Sequence, residues 1–264
     1  MKIEKKNNQY YGRYVERGIV DLSNGKSIQN YENFGFSQSE LLEMNKDIQQ
    51  IVEYLHSNNV EYIGNHTANA NGDLIVDNKI VEIKYTDGTP GTYFNTTVNY
   101  IRELGFPSYV DFLKQHNYYE KLEELGITPD RDNDSPVSQS MSKEIRQNTT
   151  IYEIIKTHEK NLRKNYVRQL FDFLSSNPEK RSKFIKDLIT KRAGNKDIPD
   201  RLIIFSHAEK WIREYKKEEI TSLINNNSFR VAGGSISTPR VRFTFGWQNG
   251  TGLNNPTIRV FLGV

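Results

Sequence analysis

The sequence predicts a mixed α/β (α+β) protein whose C-terminal part is rich in strands, and three stretches carry that reading. Ser37-Gln38-Ser39-Glu40 is a capping box that opens a helix running to about residue 57, with Leu41, Met44, Ile48, Ile51, Val52 and Leu55 on its apolar face. Leu74–Val76 and Ile80–Ile83 are short apolar runs on either side of Asp77-Asn78, a pair that tolerates positive φ and suits a two-residue hairpin turn. The tail alternates cleanly: Arg240, Arg242 and Thr244 share one strand face, and Val241, Phe243 and Phe245 share the other.

The remaining elements follow in order. Residues 1–36 are polar and aromatic and read as an irregular arm or short helix. Val60–Ile63 is a short strand. Asp87–Thr92 breaks the chain with strong turn chemistry, and residues 93–97 lead into a helix through Glu103. Helical spacing covers 109–125, about 142–175, 178 to about 192, and 208–225. Asp130–Pro136 is the most loop-like segment and suits a linker or flap. Leu202–Phe205 is a continuous apolar run, as in a strand buried on both faces. Strands are expected at 229–232, 240–245 and 257–262. The 264 residues are read as a single domain with sub-regions 37–128 (hairpin and helices), 142–225 (helical and basic) and 228–264 (strand-rich).

Composition excludes several classes. There is no cysteine, hence no disulfide and no thiolate metal site. No apolar run is long enough to span a bilayer, and the start of the chain lacks the apolar core of a secretory signal, so a cytoplasmic protein with no membrane partner is expected. The net charge of +3 is mild, but basic residues crowd the stretch from Lys156 to Lys196. That stretch reads equally as solvated helix faces or as a phosphate-facing surface.

The hairpin carries the chemistry. A two-residue turn at 77–78 puts Val76 opposite Lys79, Ile75 opposite Ile80, Leu74 opposite Val81 and, one rung on, Asp73 opposite Glu82. Lys84 projects from the same side. Two carboxylates and an ammonium then converge at one end of the hairpin. Like charges directly opposite destabilise a ladder, and a divalent cation is the usual compensator. Asp73 and Glu82, with the main-chain carbonyl of Ile83, suit Mg²⁺, and Lys84 suits orienting a water and stabilising developing negative charge. The bland alternative is a polar hairpin end closed by a Glu82–Lys84 salt bridge.

These residues resemble the PD-(D/E)XK nuclease superfamily: Gly72-Asp73 stands where that family has Pro-Asp, and Glu82-Ile83-Lys84 matches its (D/E)XK on the next strand. The resemblance covers roughly residues 37–85. The size and strand-rich tail are similar to a type II restriction endonuclease, and the heavy use of Asn, Lys and Ile resembles proteins of AT-rich bacterial genomes. The resemblance implies a central mixed β-sheet flanked by helices in a restriction-endonuclease-like core. It also implies Mg²⁺ dependence, cleavage of double-stranded DNA and, in many members, a homodimer. Some relatives use an upstream helical acid for a metal; Glu53 is the preferred candidate here, ahead of Glu43. For DNA contacts the tail offers Arg240, Arg242, Gln248 and Asn249, and the segment after the hairpin offers Thr92, Tyr93 and Asn95. The rival expectations are a structure- or end-specific repair or phage nuclease, and a DNA-binding protein without catalysis.

Overall fold

The computed structural model describes residues 8–29, 35–64, 72–86, 92–97, 100–190, 199–224, 230–237, 241–247, 253 and 256–262. The first part of the chain runs α1 (Asn8–Ser23), α2 (Gln38–Leu55), β1 (Val60–Tyr62), β2 (Leu74–Val76), β3 (Lys79–Thr86) and β4 (Thr92–Thr97). The helical middle runs α3 (Tyr100–Glu103), α4 (Tyr109–Gln115), α5 (Tyr118–Glu124), α6 (Gln139–Gln147), α7 (Thr149–Ser176) and α8 (Pro178–Thr190). The last part runs β5 (Arg201–Ser206), β6 (Ile212–Lys216), α9 (Lys217–Ile224), β7 (Arg230–Ala232), β8 (Ser235–Ser237), β9 (Val241–Trp247) and β10 (Pro256–Leu262).

The chain divides into two compact units, Met1–Gly91 with Lys196–Ile220, and Thr92–Asn195 with Thr221–Val264. The sub-regions 37–128, 142–225 and 228–264 drawn from the sequence run across these units.

The first unit is built on a mixed sheet of order β1-β2-β3-β5-β6, in which β3 and β5 are parallel and the other pairs antiparallel. The hairpin register is the one the Asp77-Asn78 turn dictates: Leu74 pairs with Val81, Ile75 with Ile80 and Val76 with Lys79. Both turn residues have positive φ, 50° and 64°, the geometry of a type I′ turn. Ser57 Oγ donates 2.7 Å to Asp77 Oδ1, and the Asp77 amide donates to the Asn59 carbonyl, so the turn is pinned from the end of α2. On the far side the Ile80 amide donates 2.9 Å to Asp200 Oδ2, just before β5 begins.

Helices α1 and α2 cover one face of this sheet. Tyr11, Val15 and Ile19 of α1 and Met44, Ile48 and Ile51 of α2 bury against Leu74, Val81, Ile83, Ile203 and Phe205. The capping box at Ser37 and Glu40 is formed, both halves present. Leu202 to Phe205 are all buried, as a strand covered on both faces requires.

Four expectations are corrected. The segment read as an irregular arm or short helix contains the sixteen-residue α1, whose buried face mixes Tyr11 and Tyr14 with Val15 and Ile19. The helix expected over 208–225 begins at Lys217, because residues 212–216 pair along the open edge of β5; the Lys216 amide is capped by Glu219 Oε2 at 2.8 Å. The helix over 109–125 is two, broken where Asn117 takes φ 59°. The helix over 142–175 is also two, because the Asn148 side chain caps the amide of Ile151 and starts α7 afresh.

The second unit holds an antiparallel sheet of order β4-β10-β9-β8-β7. The expected tail alternation holds: Val241, Phe243 and Phe245 are buried, and Tyr166 of α7 and Phe184 of α8 pack on Phe245 and Phe243 at 5.4 and 5.3 Å between ring centres. Asp130–Pro136 is folded on itself, with the Asp130 amide donating 2.7 Å to the Pro136 carbonyl and Asp130 Oδ1 accepting from the amides of Asp132 and Asn133. Among the described residues, no helix is long and apolar enough to cross a membrane.

Candidate functional site

The hairpin ladder stops at Leu74–Val81, and Asp73 leaves it there. The Asp73 amide donates 2.9 Å to the Val81 carbonyl, and its own carbonyl accepts from the amides of Ile63 and Gly64 at 3.1 and 3.0 Å. Its carboxylate then takes the acceptor position the ladder has vacated, receiving the Ile83 amide at 2.8 Å on Oδ2. Asp73 is therefore not the ladder partner of Glu82, as a straight continuation of the register expects. The physical reason is twofold: two carboxylates directly opposite repel, and the bend at Gly72-Asp73 gives Ile83 a charged acceptor in place of a neutral one. In a strand the N–H and C=O of one residue point the same way, so the Ile83 carbonyl faces the same gap.

Gly72 makes the bend possible. A Cβ there would lie 2.9 Å from the Val81 carbonyl oxygen and 2.6 Å from Ile80 Cγ2.

Glu82 and Lys84 lie two apart on β3 and form an ion pair, with Glu82 only 3% exposed. The third acid is one the sequence reading did not select. Glu16 of α1 sits within electrostatic range of Asp73, Glu82 and Lys84. Its carboxyl is pushed up to about 9, first by burial and then by the Asp73 charge, with Lys84 pulling down and Glu82 pushing up. A carboxyl so placed holds its proton at neutral pH unless a cation joins the cluster. Recognising α1 from the spacing of Tyr11, Tyr14, Val15 and Ile19 would have placed Glu16 on a helix, but not beside the hairpin acids.

Glu53 is elsewhere. It is exposed on α2 and accepts 3.1 Å from Gln49 Nε2. Glu43 is also exposed and pairs with Lys46 at 2.6 Å.

A second polar cluster, also missed, lies just past the carboxyl ends of the parallel pair β3 and β5, where open α/β sheets hold their ligands. Asp47 of α2 is fully buried and accepts three donors: Tyr85 Oη, His207 Nδ1 at 2.5 Å and Lys210 Nζ at 2.6 Å. Tyr85 Oη in turn lies 3.2 Å from Tyr11 Oη. Burial first, and then Asp47, raises the Tyr85 phenol, and burial pushes Tyr11 up to about 12, so both stay protonated.

Of the residues selected for DNA contact, Arg240, Gln248 and Asn249 lie outside the described residues. Arg242 lies on β9 with its guanidinium 4.6 Å from the Phe261 ring centre. Thr92, Tyr93 and Asn95 lie on β4, an edge strand of the second unit's sheet paired with β10, rather than in a loop following the hairpin.

Among the described residues, no three His, Cys, Asp or Glu side chains form a ready-made metal cage. The donor set at the hairpin is nevertheless the kind a hard cation takes, two carboxylates and a main-chain carbonyl, and Mg²⁺ completes its shell with water and substrate phosphate. No protein-family model matches the chain, and no curated protein matches it.

Proposed function

We propose that the protein is a Mg²⁺-dependent endonuclease that hydrolyses phosphodiester bonds in double-stranded DNA, of the PD-(D/E)XK type and acting as a site-specific restriction enzyme in the bacterial cytoplasm. The observation that carries this reading is the Asp73–Ile83 hydrogen bond. It brings one carboxylate to the middle of β3, beside Glu82 and Lys84, on a mixed sheet of the sort the resemblance implies. Asp73, Glu82 and the Ile83 carbonyl are the proposed holders of Mg²⁺, with Glu16 as the upstream acid in place of Glu53. The cation would supply polarisation of the phosphoryl group and a more acidic water. The Ile83 amide fixes the Asp73 carboxylate in one orientation. Lys84, held by Glu82, presents its ammonium to the attacking water and to the charge that develops on phosphate. Arg242 and the neighbouring tail residues are the proposed readers of the duplex, and a homodimer is the proposed assembly.

The test is incubation of phage DNA with the protein and Mg²⁺, followed by mapping of the ends. Discrete fragments are expected; trimming or smearing would instead favour a structure- or end-specific nuclease. The Glu82–Lys84 ion pair favours one rival, a DNA-binding protein whose carboxylates are only structural. Calorimetry decides: no Mg²⁺ or Mn²⁺ binding by the wild type would favour that rival.

A further inference from the structure

The second unit contains a pocket of about 400 Å³ between α7 and the strands β8, β9 and β10, a size typical of small-ligand sites. Its floor is a row of side chains crossing three strands, since Ser235 pairs with Thr244 and Thr244 with Arg259. Arg163 of α7 lies over this row. Gly234 and Gly246 leave room for it: a Cβ at either position would come within 3.2 Å of the Arg163 guanidinium. Arg163 Nη1 donates 3.3 Å to the Phe245 carbonyl, and Arg259 Nη2 donates to the Trp247 carbonyl. Arg163 Nη2 also lies 3.9 Å from Oε2 of Glu159, a buried acid in the same lining, so the two guanidiniums outnumber that one carboxylate. Their mutual repulsion shows in Arg259, whose pKa is lowered first by burial and then by the charge of Arg163.

Aromatic surface lines the same pocket, from Phe245, Trp247 and Phe261. Trp247 is 3% exposed, and its indole N–H is buried with no hydrogen-bond partner among the described residues. A buried donor left unmet costs about 1–3 kcal/mol, and native proteins seldom leave one without a purpose.

We infer that this pocket binds a nucleotide, a 5′-phosphorylated nucleoside either free or as one residue of a nucleic-acid strand. The paired guanidiniums match a phosphate in geometry and charge. The Ser235 and Thr244 hydroxyls suit sugar or phosphate oxygens. The part-exposed Phe261 ring suits the flat face of a base, and the Trp247 N–H supplies a donor to an acceptor on the ligand. The site is separate from the hairpin carboxylates in chemistry and needs no metal, so it stands independently of the nuclease reading.

Fluorescence tests it. The chain has two tryptophans, so Trp211→Phe leaves Trp247 as the only indole reporter. In EDTA, titration with a 5′-nucleoside monophosphate is expected to change Trp247 emission saturably, with inorganic phosphate at least about tenfold weaker. Arg163→Gln, Arg259→Gln and the milder Gly246→Ala, which presses on Arg163, are each expected to weaken binding about tenfold or more. Glu82→Ala is expected to leave it unchanged. A short single-stranded oligonucleotide binding more tightly than the monomer assigns the nucleotide to a strand; equal affinity assigns it to the free pool. The inference is overturned if neither nucleotide nor oligonucleotide perturbs Trp247. It is equally overturned if inorganic phosphate binds as well as the nucleotide, or if Glu82→Ala removes the signal.

Discussion

The Ile83 amide donates 2.8 Å to the Asp73 carboxylate, at the point where the hairpin ladder gives out. This one bond joins the residue before β2 to the centre of the Glu82-Ile83-Lys84 tripeptide. It also shows how two acids stay at one end of a hairpin without lying face to face.

Gly72 is the backbone condition for that bond. Gly72→Ala would drive a Cβ into the Val81 carbonyl, which belongs to a sheet and cannot swing aside. A loss of about 1–3 kcal/mol in urea unfolding is expected, with Asp73 displaced and any hairpin activity reduced in step. An unchanged unfolding midpoint would contradict the packing described for Gly72.

Asp47 and Glu53 lie two turns or less apart on α2 yet should behave oppositely. Asp47→Ala leaves His207, Lys210 and Tyr85 around an empty buried position and is expected to cost about 3–5 kcal/mol. Glu53→Ala removes an exposed side chain and is expected to stay within about 0.5 kcal/mol. Thermal melts of both variants check the contrast, and similar losses would be the contrary result.

Asp111 caps α4 through Ser108 and accepts from Nε and Nη2 of Arg102, each at 2.7 Å. The Arg102 guanidinium, ahead of the Ser108 contacts, holds its carboxyl down at about 2, below the ordinary 3.8. The folded value is below the unfolded one, so this contribution is present above about pH 4 and fades as pH falls toward 2. Asp111→Asn is expected to lower Tm at pH 6 and to flatten the acid limb between those values. A parallel acid limb would show that the pair adds no pH-dependent stability.

Metal binding at the hairpin should register as stability. Mg²⁺ at a hundredfold excess over its Kd stabilises a folded protein by about 2.7 kcal/mol. The wild type and Glu53→Ala are expected to show a rise in Tm, and Asp73→Asn is expected to show none. A rise that survives Asp73→Asn would move the cation to another site.

The sequence made the hairpin legible because a two-residue Asp-Asn turn fixes register by counting, and the strand pairs follow from it. The capping box at Ser37 and the apolar run of β5 were equally local signals. Glu16 was not legible because the buried face of α1 mixes Tyr11 and Tyr14 with Val15 and Ile19, and which helix lies beside the hairpin acids is a tertiary contact that spacing does not give. His207 and Lys210 were not legible because their partner, Asp47, is about 160 residues away. The Asp73 bend was missed because a register rule assumes the ladder continues, whereas here a side chain replaces its next acceptor.

The central claim is that Lys84 acts on a phosphodiester. It is tested most directly by timing the cleavage of phage DNA in Mg²⁺ by wild type and Lys84→Ala, with DNA binding followed in parallel. Discrete fragments from the wild type, with cleavage abolished and binding largely retained in Lys84→Ala, are the expected result. Cutting by Lys84→Ala at the wild-type rate would contradict the assignment of the site.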